Sequence, residues 1–228
     1  MSARGLFITG TDTGVGKTVI ACALVRSFAA RGERVGVMKP VASGAQRTRE
    51  GLRNDDALAL LAAANVPLPY ARVNPYCFEP AISPHIAAED VRIDINPGTI
   101  ATEYAAIASI CDRVIVEGAG GWLAPIGARD SMADLARTLE LPALLVVGLR
   151  LGCLNHAELS RRAIAAGGVA FAGWIANATG EPMEREAENL ATLGRRLGGA
   201  PLAVVRHAPQ AAATLRLDAA AAALAGRG

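Results

Sequence analysis

Apolar residues along this chain fall into short unbroken runs, and the stretches between them are longer and mixed. The runs are Leu6 to Thr9, Val35 to Met38, Arg113 to Val116, Leu144 to Val147, Gly173 to Ala176 and Leu202 to Val205. Short runs without polar alternation fit strands buried on both faces. Each is followed by a loop rich in Gly, Pro or Asn and then by an amphipathic or Ala-rich stretch. That order is the signature of βαβ units, so the expected fold is α/β, three layers deep, with a mostly parallel central sheet flanked by helices.

The first helix should run from Lys17 to about Ala30 and stop at Gly32. Ser131 and Asp134 form an S-x-x-D capping signal for another, and Pro182 suits the first turn of a third that Gly198 and Gly199 would end. The C-terminal LDAAAAALAGRG reads as a short closing helix, because Ala is the best helix former. The proline-dense stretch from Asn65 to Pro97 reads as an irregular excursion over the sheet edge. No internal repeat is visible.

Composition narrows the class. The chain has 228 residues, 52% of them apolar, and is read as one domain spanning 1–228. Chains of this length bury about 70% of their unfolded surface, so no disulfide staple is required. The net charge of +2, from 23 basic and 21 acidic residues without a block of either sign, points to no nucleic-acid partner. Cys22, Cys77, Cys111 and Cys153 are scattered, with no CxxC pair, which suits free thiols in a reducing compartment rather than a zinc site. No signal-peptide pattern and no run of ~18 apolar residues is present, so a cytoplasmic protein without a membrane span is expected.

The candidate chemistry begins at Gly10, where GTDTGVGKT follows the first apolar run. A strand, a glycine loop and a helix opening with Gly-Lys-Thr point backbone N–H groups at phosphate oxygens, helped by the helix dipole. Gly14 and Gly16 allow close approach, Lys17 would reach the outer phosphates, and the Thr18 hydroxyl would ligate Mg²⁺. Five residues separate Gly10 from Gly16, one more than in the standard loop, and Thr11 takes the usual first-glycine position. Asp12 stands where partitioning and septum-site ATPases carry an extra lysine.

In VMKPVASG, Lys39 lies at the C-terminal end of the second run, where open α/β sheets collect ligands, and Ser43 offers a hydroxyl nearby. Glu117 ends RVIVE before a glycine turn, the place of a Walker-B acid. Asp55 and Asp56 are adjacent; Asp56 is a second candidate for Mg²⁺, or the pair caps a helix starting at Ala57. Trp122 and Trp174 read as packing residues, with Trp122 placed to line an alkyl chain, and His85 as a loop residue bonded to backbone.

Taken together, GTDTGVGKT, KPVASG, GLRNDDALAL, VNPY, SPHIAA, VEGAGGW, LVVGLRLGCLNH and GWIAN resemble the dethiobiotin synthetase family up to about Asn177. The resemblance implies a P-loop NTPase-like fold, ATP as co-substrate with Mg²⁺, and closure of 7,8-diaminononanoate with CO₂ into a cyclic urea through a carbamate and a carbamic–phosphoric anhydride. It implies Lys39, Lys17 and Thr13 in catalysis, and Thr18, Asp56 and Glu117 around the metal. Nucleotide contacts would come from Gly14, Val15, Gly16, Lys17, Thr18 and Val19, from the turn Gly118, Ala119 and Gly120, and from Asn177 at the adenine. Thr13 and Ser43 would touch the diamine. Gly152, Cys153, Leu154 and Asn155 would receive its carboxylate tail across a homodimer interface; Asn155 could equally cap a helix from Ala157.

Two positions depart from the family pattern. Gly14 replaces a glutamate found in some members, and LAVVRHAPQAAATL lacks their Gly-x-Ile-Pro, so no nucleotide contact carries over onto residues 207–209. Two other functions share this machinery: a regulatory or assembly ATPase, and an amidoligase acting on a different acid.

Overall fold

The computed structural model describes residues 4–180, 183–207 and 209–226. In chain order the elements begin with β1 (Arg4–Gly10), α1 (Lys17–Ala29), β2 (Val35–Met38), β3 (Val41–Ala42), β4 (Gln46–Thr48), β5 (Gly51–Arg53) and α2 (Asp55–Ala63). Next come α3 (Tyr70–Val73), β6 (Tyr76–Cys77), α4 (Pro84–Asp90), α5 (Pro97–Ala108), β7 (Arg113–Glu117) and α6 (Met132–Thr138). The chain ends with β8 (Ala143–Gly148), α7 (Cys153–Ala166), β9 (Phe171–Asn177), α8 (Glu186–Leu197), β10 (Val204–Val205) and α9 (Asp218–Leu224), with a 3₁₀ turn at Pro209–Ala211 between the last two.

Six strands form one parallel sheet in the order β10-β9-β8-β1-β7-β2. They coincide with the six apolar runs, and the reason the runs are unbroken is visible in the packing. Leu6 and Ile8 of β1 face a core shared with Ile20 and Leu24 of α1 and Leu224 of α9. Phe7, between them, faces the opposite layer with Ile100 and Ile107 of α5 and Leu135 of α6. A third cluster buries Leu145, Val147 and Trp174 beneath Cys153 and Ala157 of α7 and Leu193 and Leu197 of α8.

Helix boundaries agree with their chemical signals. α1 ends one residue before Ala30, with Gly32 at φ 87 just beyond. Ser131 accepts from the Asp134 amide while Asp134 accepts from the Ser131 amide, completing a capping box for α6. α8 ends on Gly198, as expected, but its proposed start at Pro182 lies outside the described residues.

Three local expectations are corrected. α2 starts at Asp55 rather than Ala57, and its cap is the Asn54 side chain, which accepts from the Ala57 amide; the Asp55–Asp56 pair sits inside the first turn. α7 starts at Cys153 on Gly152, so Asn155 lies within the first turn and is not a cap. The proline-dense excursion is partly regular. It contains α3, which packs on β2, and α4, and Tyr76–Cys77 pairs in parallel with Val41–Ala42. Pro69 caps α3, and Pro84 and Pro97 sit in the first turns of α4 and α5, where a missing N–H costs nothing.

Ile115, fully buried in β7 between β1 and β2, is a direct probe of this arrangement. Replacing it with Ala should destabilise the fold by about 2–5 kcal/mol, lowering the urea midpoint with an unchanged slope. A midpoint equal to the wild type would contradict the packing described.

Candidate active site

The sheet order lays the candidate residues along one edge. β1 has β7 on one side and β8 on the other, so the connections diverge at its C-terminal end, the switch point where ligands bind in open α/β sheets. The glycine loop leaves β1, Glu117 ends β7, and Lys39 follows β2 on the far side of β7. In the other direction Arg150 follows β8 and Asn177 ends β9. A cavity of about 860 Å³ opens over the first group, and a smaller one of about 260 Å³ opens beside Asn177.

Within the loop, Gly16 caps α1 in the left-handed region (φ 85), which glycine adopts without steric cost. A Cβ there would also lie 2.1 Å from Asn177 Nδ2. That amide donates to Val15 O at 2.9 Å and so locks the loop to the end of β9. Lys17 Nζ donates to Asp12 O at 2.9 Å. Asp12 in turn accepts from the Thr13 amide at 2.7 Å and pairs with Arg150. The lengthened loop is thus braced from within and from β8.

Beside the loop, three side chains from distant segments converge. Lys39 Nζ donates to Glu117 Oε1 at 2.6 Å and to Asp56 Oδ2 at 2.9 Å. Thr18 Oγ1 lies 2.8 Å from Asp56 Oδ1 and 2.9 Å from Glu117 Oε1. One hydroxyl proton serves only one of those two acceptors at a time. Glu117 Oε2 is buried with no hydrogen-bond partner. Three oxygen-bearing groups drawn together, with one buried carboxylate oxygen unsatisfied, suit a small hard cation such as Mg²⁺. Histidine and cysteine have no part in the set, and no cluster of three or more His, Cys, Asp and Glu occurs among the described residues.

The two lysines differ electrostatically. Burial lowers the Lys17 ammonium, aided by repulsion from Lys39, to a pKa of about 8. Burial also opposes charge on Lys39, but the adjoining Glu117 and Asp56 carboxylates outweigh it and hold its pKa above the ordinary value. Asp56 is the mirror case: burial opposes its ionisation, and Lys39 with the Thr18 hydroxyl lowers its pKa nonetheless.

Most of the residues expected from sequence meet here. Thr13, Gly14, Gly16, Lys17, Thr18 and Val19 line the larger cavity from the loop side. Lys39, Ser43, Asp56, Glu117, Ala119 and Gly120 line it from the other. Val15 is buried in the core and contributes only its carbonyl, and Gly118 packs on Phe7, where a Cβ would lie 2.9 Å from the ring. Asn177 lines the smaller cavity, which shares Gly16 and Val19 with the larger. Gly152, Cys153, Leu154 and Asn155 line neither: Cys153 is core, and Gly152 and Asn155 are exposed.

Trp122 packs edge-on against Phe7, as the packing reading expects, and does not line the cavity. Two further placements differ from expectation. His85 belongs to α4 rather than to a loop, and its Nδ1 is 2.9 Å from the Ser83 hydroxyl rather than bonded to backbone. Arg206 and His207, to which no contact was assigned, line the smaller cavity beside Asn177. The order of β9 and β10 in the sheet brings them there, and no local motif marks them.

A nucleotide phosphate meeting Lys17 would favour its charged form, so binding should take up a proton once the free side chain deprotonates. Nucleotide affinity should fall as pH rises through 8, approaching tenfold per pH unit above it. Calorimetry in buffers of different ionisation enthalpy measures that uptake; affinity flat from about pH 7 to 9.5 would contradict the assignment.

Comparison with known proteins agrees with this geometry. A family model described as an AAA domain matches residues 4–213. The ATP-dependent dethiobiotin synthetase BioD of Xanthomonas oryzae pv. oryzae is 48% identical over 197 residues, covering 86% of this chain and 88% of the relative. The protein of that name from Pseudomonas paraeruginosa is 48% identical over 192 residues, 84% of each chain. Among solved structures, MinD of Aquifex aeolicus superposes with a TM-score of 0.61 at 14% identity, covering 99% of this chain and 98% of that one. A ParA family ATPase from Chlorobium tepidum gives 0.59 at 14% identity, covering 98% and 92%. At that identity the structural likeness shows the P-loop NTPase fold and nothing finer. The sequence likeness is of another order, and by it this chain belongs to the ATP-dependent dethiobiotin synthetase family.

Proposed function

We propose that this chain converts 7,8-diaminononanoate, CO₂ and ATP into the cyclic urea dethiobiotin, releasing ADP and phosphate. The observation that carries the reading is the buried Lys39 ammonium, clamped by Glu117 and Asp56 beside the P-loop lysine at one cavity wall. One amine of the diamine takes up CO₂ as a carbamate and loses a proton. A carbamate oxygen attacks the terminal phosphorus of ATP, and the bond to ADP breaks. The second amine then attacks the carbamate carbon, the C–O bond breaks, and phosphate leaves as the ring closes.

No protein nucleophile is needed for this sequence; positioning and charge neutralisation suffice. Lys17, resting on the Asp12 carbonyl, is the ammonium that meets the outer phosphates. Lys39 offers a second ammonium where negative charge develops during transfer. A magnesium ion held by Thr18, Asp56 and Glu117 would neutralise phosphate charge. Thr13 and Ser43 border the remaining space and orient the diamine. The base end of ATP falls to the smaller cavity, with Asn177 reading it.

A homodimer completes this reading. The exposed start of α7 at Gly152 lies away from both cavities, and Leu151 is 95% exposed beside it. A second copy covering Leu151 would deliver the α7 amides to the substrate's carboxylate tail. All four cysteines are free, in keeping with a reducing cytoplasm. No helix among the described residues is long and apolar enough to cross a membrane. Asp12, occupied by Arg150 and the Thr13 amide, stands where an assembly ATPase carries lysine, which favours synthesis over a nucleotide-driven switch.

Purified protein with the diamine, bicarbonate, ATP and magnesium should yield cyclic urea and phosphate in equal amounts. Phosphate release without the diamine would favour an assembly ATPase, and product from another acceptor an amidoligase. Replacing Lys39 with Ala should lower kcat by roughly 10²–10³ while leaving ATP binding within about tenfold. Unchanged turnover would refute the role given to Lys39.

A further inference from the structure

The side chains of Lys39, Ser43 and Asp56 reach the cavity from separate segments: the end of β2, the loop after β3 and the first turn of α2. None of these segments pairs with another in a sheet. What holds them together is a set of buried polar groups: Asn54 at the cavity wall, and Tyr70 and Asn74 behind it. We propose that Asn54, Tyr70 and Asn74 are positioning residues that keep Lys39, Ser43 and Asp56 in register for phosphoryl transfer, with the Tyr70 hydroxyl as the joint. This inference rests on the reaction proposed above.

Asn74 lies between α3 and β6 and is 3% exposed. Its Nδ2 donates to Lys39 O at 2.7 Å and to Tyr76 O at 3.1 Å. The neighbouring Val73 carbonyl accepts from the Lys39 amide at 2.9 Å, so both peptide groups of Lys39 are held by residues 73 and 74. Asn54, 7% exposed, does the same for the other two segments. Its Oδ1 caps α2 by accepting from the Ala57 amide at 3.2 Å, which fixes the turn carrying Asp56. Its Nδ2 donates to Ser43 O at 3.3 Å.

Tyr70 joins the two halves. Its hydroxyl accepts from the Asn54 amide at 2.7 Å and donates to Asn74 Oδ1 at 2.9 Å. The Arg53 guanidinium stacks 4.3 Å over the ring and keeps the hydroxyl in place. Both asparagine side chains and the hydroxyl use donors and acceptors alike, so the network is satisfied and stiff, and loss of one member leaves buried partners unpaired. A helix cap alone would need only Asn54 or a serine in its place. The links to Lys39 and Ser43 serve the cavity instead.

Tyr70→Phe removes only the joint. We expect its kcat per nucleotide-binding site, with site number from calorimetric stoichiometry, to fall about tenfold while nucleotide Kd stays within about threefold. Tyr104→Phe, at a half-buried tyrosine that lines neither cavity, should keep wild-type kcat and Kd. Asn54→Ser retains a good cap and loses the Ser43 link, so the diamine KM should rise at least about fivefold with the ATP KM unchanged. Equal kcat for Tyr70→Phe and Tyr104→Phe would overturn the proposal. So would parallel loss of kcat, Kd and site number, which is the result of a merely structural role. Should Tyr70→Phe not fold, Asn54→Ser decides alone. If the wild-type protein makes no cyclic urea, the synthetase reading fails; a crystal structure of Tyr70→Phe then decides the network, supported by a lengthened Lys39–Asp56 contact and overturned by an unchanged one.

Discussion

A lysine ammonium with a side chain only 4% exposed lies between two carboxylates, one of which, Glu117, is equally buried at 1%. Taking such charges out of water costs several kcal/mol per ion, and a buried pair seldom repays more than that cost. The arrangement therefore adds little stability, and its value lies in keeping a cation beside a phosphate-binding loop. It also constrains the fold around it. Glu117 must end a central strand, Lys39 must follow the strand beside it, and α2 must bring Asp56 across the mouth.

From that constraint the rest of the edge takes its order. The phosphate loop leaves β1 next to Glu117, so Lys17 and Lys39 flank the same space with unlike electrostatics. Lys39 is paired with two carboxylates, whereas Lys17 donates to a carbonyl, and burial with the repulsion of Lys39 outweighs the attraction of Glu117, Asp56 and Asp12. An incoming polyphosphate would relieve that strain. On the far side of β1, the Asn177 amide bonded to Val15 O connects the loop to the end of β9, where the smaller cavity begins. In the proposed reading, base, phosphates and transfer site follow strand order.

What could be read from sequence was what local physics fixes. Both-face burial makes unbroken apolar runs, so all six central strands were visible, and the Gly-Lys-Thr loop, Lys39 and Glu117 announce themselves by standing at strand ends. The Asp55–Asp56 pair is ambiguous in sequence because a carboxylate in a first turn suits both a helix dipole and a metal; in the structure Asn54 is the cap, and Asp56 lines the cavity. The Tyr70 and Asn74 links depend on chain segments meeting in space and left no periodic mark. Arg206 and His207 reach the small cavity through the pairing of β10 with β9, which spacing alone does not reveal. Trp122 reads as a packing residue from its sequence, and it packs edge-on against Phe7 away from the cavity wall.

The central claim is that the ammonium held by acids 56 and 117 is the one presented to the transferring phosphoryl group. A crystal structure with magnesium, a non-hydrolysable ATP analogue and the diamine tests it most directly. The account predicts Lys39 Nζ within hydrogen-bond distance of the terminal phosphate, with Glu117 at the metal. A Lys39 side chain turned away from that phosphate, or a metal bound far from Glu117, would contradict it.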